Sequence, residues 1–174
     1  MKLLVVGGAG YIGSHMVKML VNSGHDVTIL DNLSTGFREL AKYGELVVGD
    51  LADESLLEDL FSKHQFDGAM HFAAASLVGE SMTNPAKYYR NNVSNTINLL
   101  DAMVKHNVKS FVFSSSAAVY GEPNSDLIDE EHIKDPINPY GSTKLMIERI
   151  LQDYASAYGL NSISLRYFNA CGAD

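Results

Sequence analysis

Short apolar runs alternate along the chain with longer segments in which apolar residues recur at helical spacing. The runs Lys2 to Val6, Asp26 to Leu30, Leu46 to Val48, Gly68 to Phe72, Ser110 to Phe113 and Ser162 to Arg166 have strand length. The helical segments are about Tyr11 to Ser23, Asp53 to Lys63, Pro85 to His106 and Pro139 to Tyr158. Asn84-Pro85 and Asn138-Pro139 each place a capping residue before a proline at the first helical position. Strands buried on both faces, each followed by a crossover helix, predict an α/β fold: a doubly wound, mainly parallel sheet forming one domain over residues 1–174. Three long irregular stretches, Leu33 to Gly44, Ala73 to Asn84 and Ala117 to Asn138, begin where strands end. Open α/β sheets bind ligands at the carboxyl ends of their strands, so the chemistry is expected in these loops.

Composition narrows the partners. The 46% hydrophobic content of 174 residues is enough for one substantial core. A formal charge of -8 with a pI near 5.1 argues against nucleic acid or an anionic membrane as the main partner, because either would approach against like charge. Cys171 is the only cysteine, which excludes an internal disulfide framework and fits a reducing, cytoplasmic setting. The N-terminal "MKLLVVGGAGYIG" reads as a buried strand rather than a signal peptide. No stretch approaches the ~20 consecutive apolar residues that span a bilayer.

Directly after the first strand, Gly7, Gly10 and Gly13 form a G-x-x-G-x-x-G array that runs into a helix. Gly7 permits a tight turn, Gly10 lets the backbone approach a pyrophosphate, and Gly13 allows close helix packing; the helix N-terminus supplies N–H donors. Asp31 follows at the end of the second strand, where a carboxylate accepts ribose hydroxyls and repels a 2'-phosphate, so NAD is expected over NADP. Asp50, at the end of the third strand, is equally readable as an acceptor for the adenine amino group and as a turn or capping aspartate.

In "NPYGSTKLMIE", Tyr140, Lys144, Ile147 and Leu151 fall at i, i+4, i+7 and i+11, so tyrosine and lysine continue the stripe that packs on the sheet. A free phenol titrates near pH 10, and acting as a base near neutrality requires about 4 kcal/mol. An ammonium about 5 Å away supplies roughly 3 kcal/mol at an effective dielectric of 20. Ser114, Ser115 and Ser116 end the fifth strand; they either satisfy loop backbone or offer a hydroxyl to a substrate beside Tyr140.

With these residues assembled, the chain resembles the extended short-chain dehydrogenase/reductase superfamily. Within it, the chain looks like the N-terminal, Rossmann-type NAD-binding part of the UDP-glucose 4-epimerase family. The motifs "GGAGYIGSH", "LDNLSTG", "HFAA", "VGES", "YYRNNV", "FSSSAAVYG", "NPYGSTK" and "LRYFNACGA" carry that likeness along essentially the whole length. The resemblance implies that Tyr140 is the catalytic base, that Lys144 lowers its pKa and holds the nicotinamide ribose, and that Ser116 binds the sugar 4-hydroxyl. It implies further cofactor contacts from Tyr11, Ile12, Asn32, Leu51, Phe72, Ala73, Ala74, Asn91, Ser114 and Tyr167, beside Gly7, Gly10, Gly13, Asp31 and Asp50, and a sugar contact from Asn169. The implied activity is interconversion of UDP-galactose and UDP-glucose through a transient 4-keto sugar in galactose metabolism, by a homodimer with tightly bound NAD and no metal. Some members carry a phosphate-contacting lysine where this chain has Ser76, so that contact is expected to be missing. Related 4,6-dehydratases carry an Asp-Glu pair after the catalytic hydroxyl residue, whereas here Ala117 and Ala118 follow Ser116. The chain stops at Asp174, where family members continue into a C-terminal domain holding most UDP-sugar contacts; weak or absent catalysis by this chain alone is therefore expected.

Overall fold

The computed structural model describes residues 1–125 and 127–172; Ala173, the last residue of the final quoted motif, lies outside them. Six parallel strands form one sheet in the order β3-β2-β1-β4-β5-β6. They are β1 (Lys2–Val6), β2 (Asp26–Asp31), β3 (Glu45–Val48), β4 (Gly68–His71), β5 (Ser110–Ser116) and β6 (Asn161–Tyr167). The order reverses between β1 and β4, which opens a crevice at the carboxyl ends of the central strands. The doubly wound, Rossmann-like fold expected from the alternating pattern is the fold observed.

Strand alternation assigns the two cores. Leu4 and Val6 of β1 enter a large cluster with Leu57 of α2 (Glu54–Lys63), Leu99 and Met103 of α5 (Asn95–Lys105), and Ile147 and Leu151 of α6 (Pro139–Tyr158). Val5, between them, faces a smaller cluster with Ile29 and with Val17 of α1 (Tyr11–Asn22). Each such apolar side chain withdrawn from water contributes about 2 kcal/mol. Among the described residues, no helix is long and apolar enough to cross a membrane.

Several boundaries differ from the sequence reading. β5 continues to Ser116 because Ser114, Ser115 and Ser116 pair with Leu165, Arg166 and Tyr167 of β6. Val78–Thr83, expected to be irregular, forms α3; six residues are too few to display a period. The long helix predicted from Pro85 is α4 (Pro85–Tyr88), a π-turn (Tyr89–Ser94) and then α5. Asn84 makes no side-chain cap, whereas Asn138 Oδ1 accepts the Gly141 N–H at 2.8 Å. β6 is an edge strand rather than one buried on both faces: Arg166 turns toward α6, while Ile163 and Leu165 alternate with it and remain 62% and 36% exposed.

The glycine turn is sterically committed. A Cβ at Gly13 would stand 2.1 Å from the Gly7 carbonyl oxygen, so Gly13→Ala is expected to cost ~3 kcal/mol or more in denaturant unfolding. Gly79, in the first turn of α3, has nothing within 4 Å of its would-be Cβ. Gly79→Ala is expected to stabilise by a few tenths to ~1 kcal/mol; equal effects from the two substitutions would contradict this account.

Candidate active site

The phosphate end of the crevice is made of backbone. Gly7 adopts φ +79°, donates to the Leu30 carbonyl at 2.8 Å and lies against the backbone of Phe72 and Ala73. The Gly10 N–H closes the turn on the Gly7 carbonyl at 3.1 Å. A Cβ at Gly10 would meet only that same oxygen, at 3.3 Å, so the space outside the turn is open. Helix α1 begins there with no side-chain cap and no acidic residue in its first turn. Its first N–H groups and the positive end of its dipole are therefore available to an anion.

Two carboxylates stand at the ends of β2 and β3. Asp31, 8% exposed, accepts the N–H groups of Ala9 and Leu33, each at 2.9 Å. Two of its roughly four acceptor positions remain for ribose hydroxyls. Asp50 is more fully used: it accepts from Asn32 at 2.6 Å, from the Ala52 N–H at 2.9 Å and from Asn95 at 3.2 Å. The turn role left open for it by spacing is realised, while Asp53 caps α2. Asn32 acts first as the clamp on Asp50.

The opposite end is set by the first turns of α6. The Asn138 cap and Pro139 start the helix so that Tyr140 borders the crevice, with Lys144 one turn deeper. Lys144 is 3% exposed, and its Nζ donates to the Ser114 carbonyl at 2.7 Å. It also stands 4.9 Å from the centre of the Phe113 ring and 5.8 Å from that of Tyr140. A lysine ammonium standing beside a phenol favours its ionised form. Lys144 is not the fixed cation that its spacing suggests: burial pushes it down to about 7, so its charge depends on what lies beside it.

Two polar networks escaped sequence reading. Asn92, in the π-turn, accepts the Ala75 N–H and donates to the Ala75 carbonyl and to Thr143, whose hydroxyl donates to the Tyr140 carbonyl. The Thr96 hydroxyl donates to the Asn92 carbonyl, so its oxygen accepts from His71 Nε2; Nδ1 of His71 has no partner among the described residues. Burial, with Lys144 nearby, pushes His71 down to about 3 and keeps it neutral. Behind β5, Glu148 accepts from Ser115 at 2.6 Å and takes a two-pronged contact from Arg166 at 2.9 and 2.8 Å. Arg166 also donates to the Tyr120 hydroxyl at 2.7 Å. The "YYRNNV" stretch and the Glu148 position were the only signals, and neither states its partner.

The three serines diverge. Ser114 supplies the carbonyl under Lys144 and Ser115 braces Glu148, while Ser116 borders the crevice and accepts the Ala118 N–H at 3.2 Å. Every residue expected to touch cofactor or sugar lines this one cleft of about 700 Å³, except Asn169. Asn169 is exposed between Phe168 and Ala170, which do line it.

Residues 3–174 match the model of the NAD dependent epimerase/dehydratase family. The chain belongs to that family. It is 50% identical over 174 residues to UDP-glucose 4-epimerase of Halalkalibacterium halodurans, covering 100% of this chain and 52% of that protein. The crystal structure of UDP-glucose 4-epimerase from Brucella ovis in complex with NAD superposes with a TM-score of 0.97 at 50% identity, covering 99% of this chain and 53% of the other. The enzyme from Bifidobacterium longum in complex with NAD+ and UDP gives 0.93 at 40% identity, with 97% and 53% covered. The chain thus spans about half the length of the relatives it matches. The family's cofactor is NAD, and the cleft fits it: an open glycine turn stands at one end, a carboxylate with spare acceptor capacity beside it, and a tyrosine-lysine pair at the other end.

Burial of Lys144 gives a signed pH prediction. Its folded pKa lies below the unfolded value near 10.4, so the burial cost is present in full below about pH 7 and is relieved as pH rises toward 10.4. Lys144→Met removes that cost. The variant is expected to melt above the wild type at pH 6, with the gap closing by pH 10; a gap that widens with pH would contradict the assignment.

Proposed function

We propose that the chain is the cofactor-binding half of a UDP-glucose 4-epimerase, interconverting UDP-galactose and UDP-glucose in galactose metabolism. The observation that carries this reading is the convergence of Tyr140, Lys144 and Ser116 on the cleft whose far end is the glycine turn. The relatives' half-length match and the "LRYFN" segment support it. The cytoplasmic setting and the homodimer rest on the family resemblance and the single thiol.

A bound nicotinamide supplies the hydride acceptor and donor. The chain's own residues handle the proton and the geometry. Tyr140 takes the proton of the sugar 4-hydroxyl as phenolate, stabilised by the Lys144 ammonium. Ser116, already accepting the Ala118 N–H, donates a hydrogen bond from its own O–H to the sugar oxygen and orients it between itself and Tyr140. With NAD bound, its ribose hydroxyls would become partners of Lys144 and favour the charged form over the neutral one that burial promotes. Asp31 selects an unphosphorylated ribose by like-charge repulsion. A 4,6-dehydratase needs an added acid and base beside the hydroxyl residue, and the two positions directly after Ser116, which open the 3-10 turn Ala117–Tyr120, are Ala117 and Ala118.

The decisive assay incubates the product of the complete gene with UDP-galactose and no added cofactor. UDP-glucose is the expected product, and a 4-keto-6-deoxy sugar would instead identify a dehydratase. In calorimetry the 174-residue chain is expected to bind NAD at least ~10-fold more tightly than NADP. Its turnover should be ~10²-fold or more below that of the complete protein, because the 174 residues span 52% of the relative they match and the family resemblance puts most sugar-nucleotide contacts in the remainder. Tyr140→Phe is expected to abolish turnover while leaving NAD binding within about twofold; unchanged turnover would remove Tyr140 from the mechanism.

A further inference from the structure

Charge along the cleft wall is unbalanced for a diphosphate. The wall carries three carboxylates, Asp31, Asp50 and Glu80, against two cations, Lys144 and Lys87. Lys144 is buried and engaged with the Ser114 carbonyl, so Lys87 is the solvent-facing cation among the described wall residues. The α1 dipole presents about half a positive charge to a ligand carrying two negative ones. Backbone alone therefore leaves most of that charge uncompensated.

Lys87 is held ready at the rim. Its Nζ stands 2.7 Å from Glu80 Oε1, with the lysine side chain 50% exposed and two of its three donors free of that carboxylate. Glu80 is itself fixed: its Oε2 lies 2.8 Å from the hydroxyl of Tyr88, a fully buried residue whose hydroxyl also reaches the Leu77 carbonyl at 2.6 Å. The segment from Ala73, pressed against Gly7, to Leu77 joins the glycine turn to this pair. The anion-ready backbone and the Lys87–Glu80 pair thus stand along one wall.

We propose that Lys87 is the cation that receives a diphosphate in this cleft, and that Glu80 holds it in place and competes with the anion for it. The proposal rests on the nucleotide-binding reading above. Two ligands carry that group, the dinucleotide cofactor and the nucleotide sugar, and the experiment separates them.

The test is calorimetry of Lys87→Met and Glu80→Gln against the unaltered protein, with inorganic pyrophosphate and NAD titrated into the 174-residue chain and UDP into the complete gene product. Lys87→Met is expected to weaken a diphosphate ligand about tenfold, the size of a lost charge-assisted hydrogen bond. Glu80→Gln keeps an acceptor for Tyr88 but removes the competing charge, and is expected to tighten the same ligand about threefold. A loss seen with NAD assigns Lys87 to the cofactor; a loss confined to UDP assigns it to the sugar nucleotide. Lys87→Gln serves as a second variant if Lys87→Met melts more than a few degrees low. Changes under about twofold in all three titrations would overturn the proposal, as would a Glu80→Gln loss equal to that of Lys87→Met, which marks a purely structural brace. NAD bound without dependence on Lys87 keeps the cofactor reading and removes this one only if UDP and pyrophosphate are also indifferent. Lys87-dependent pyrophosphate binding with no affinity for NAD or UDP sustains the cation site and sinks the nucleotide reading.

Discussion

The Lys144 ammonium is enclosed by protein and faces one carbonyl, that of Ser114, at 2.7 Å. Among the described residues no carboxylate neutralises it there, and an unpaired buried cation costs several kcal/mol unless something restores its lost hydration. The surroundings meet that cost only in part, through the carbonyl and the faces of the Phe113 and Tyr140 rings. A site that keeps such a group in place is set up for a ligand that completes its solvation. The same enclosure makes the Lys144 charge useful to Tyr140, because its field is not screened by water.

Holding that lysine requires α6 to sit rigidly against β5 and β6. The Glu148–Arg166 pair with Ser115 fixes the helix one turn beyond Lys144, and Asn92 with Thr143 fixes it one residue before. Arg166 is pushed upward by the Glu148 carboxylate, so this brace keeps its charge across the working pH range. His71 is neutral beneath the site, which spares Lys144 a second positive charge. The π-turn contributes by turning Asn92 into the interior, where its amide ties the loop after β4 to α6.

Much of the fold was legible because the relevant signals are local. Apolar runs and helical spacing located all six strands and the long helices, and Asn138-Pro139 located the start of α6. The glycine array, Asp31, Tyr140 and Lys144 were legible because each sits where a strand or helix of recognisable pattern begins or ends. Short α3, the π-turn and the solvent-facing side of β6 were not, since six residues cannot display a period and an edge position depends on which strands pair.

The chain's own order of residues determined the doubly wound class, the positive-φ turn at Gly7 and the shared helix face of Tyr140 and Lys144, because backbone sterics and helical geometry act over a few residues. Tertiary structure alone decided the charge of that site. How far Lys144 is pushed toward neutrality, which donors Asp50 takes, and that Glu148 meets Arg166 while Lys87 meets Glu80 on the cleft wall all follow from the packing of separate elements. Desolvation and pairing are set by neighbours in space, and spacing along the chain carries no record of them.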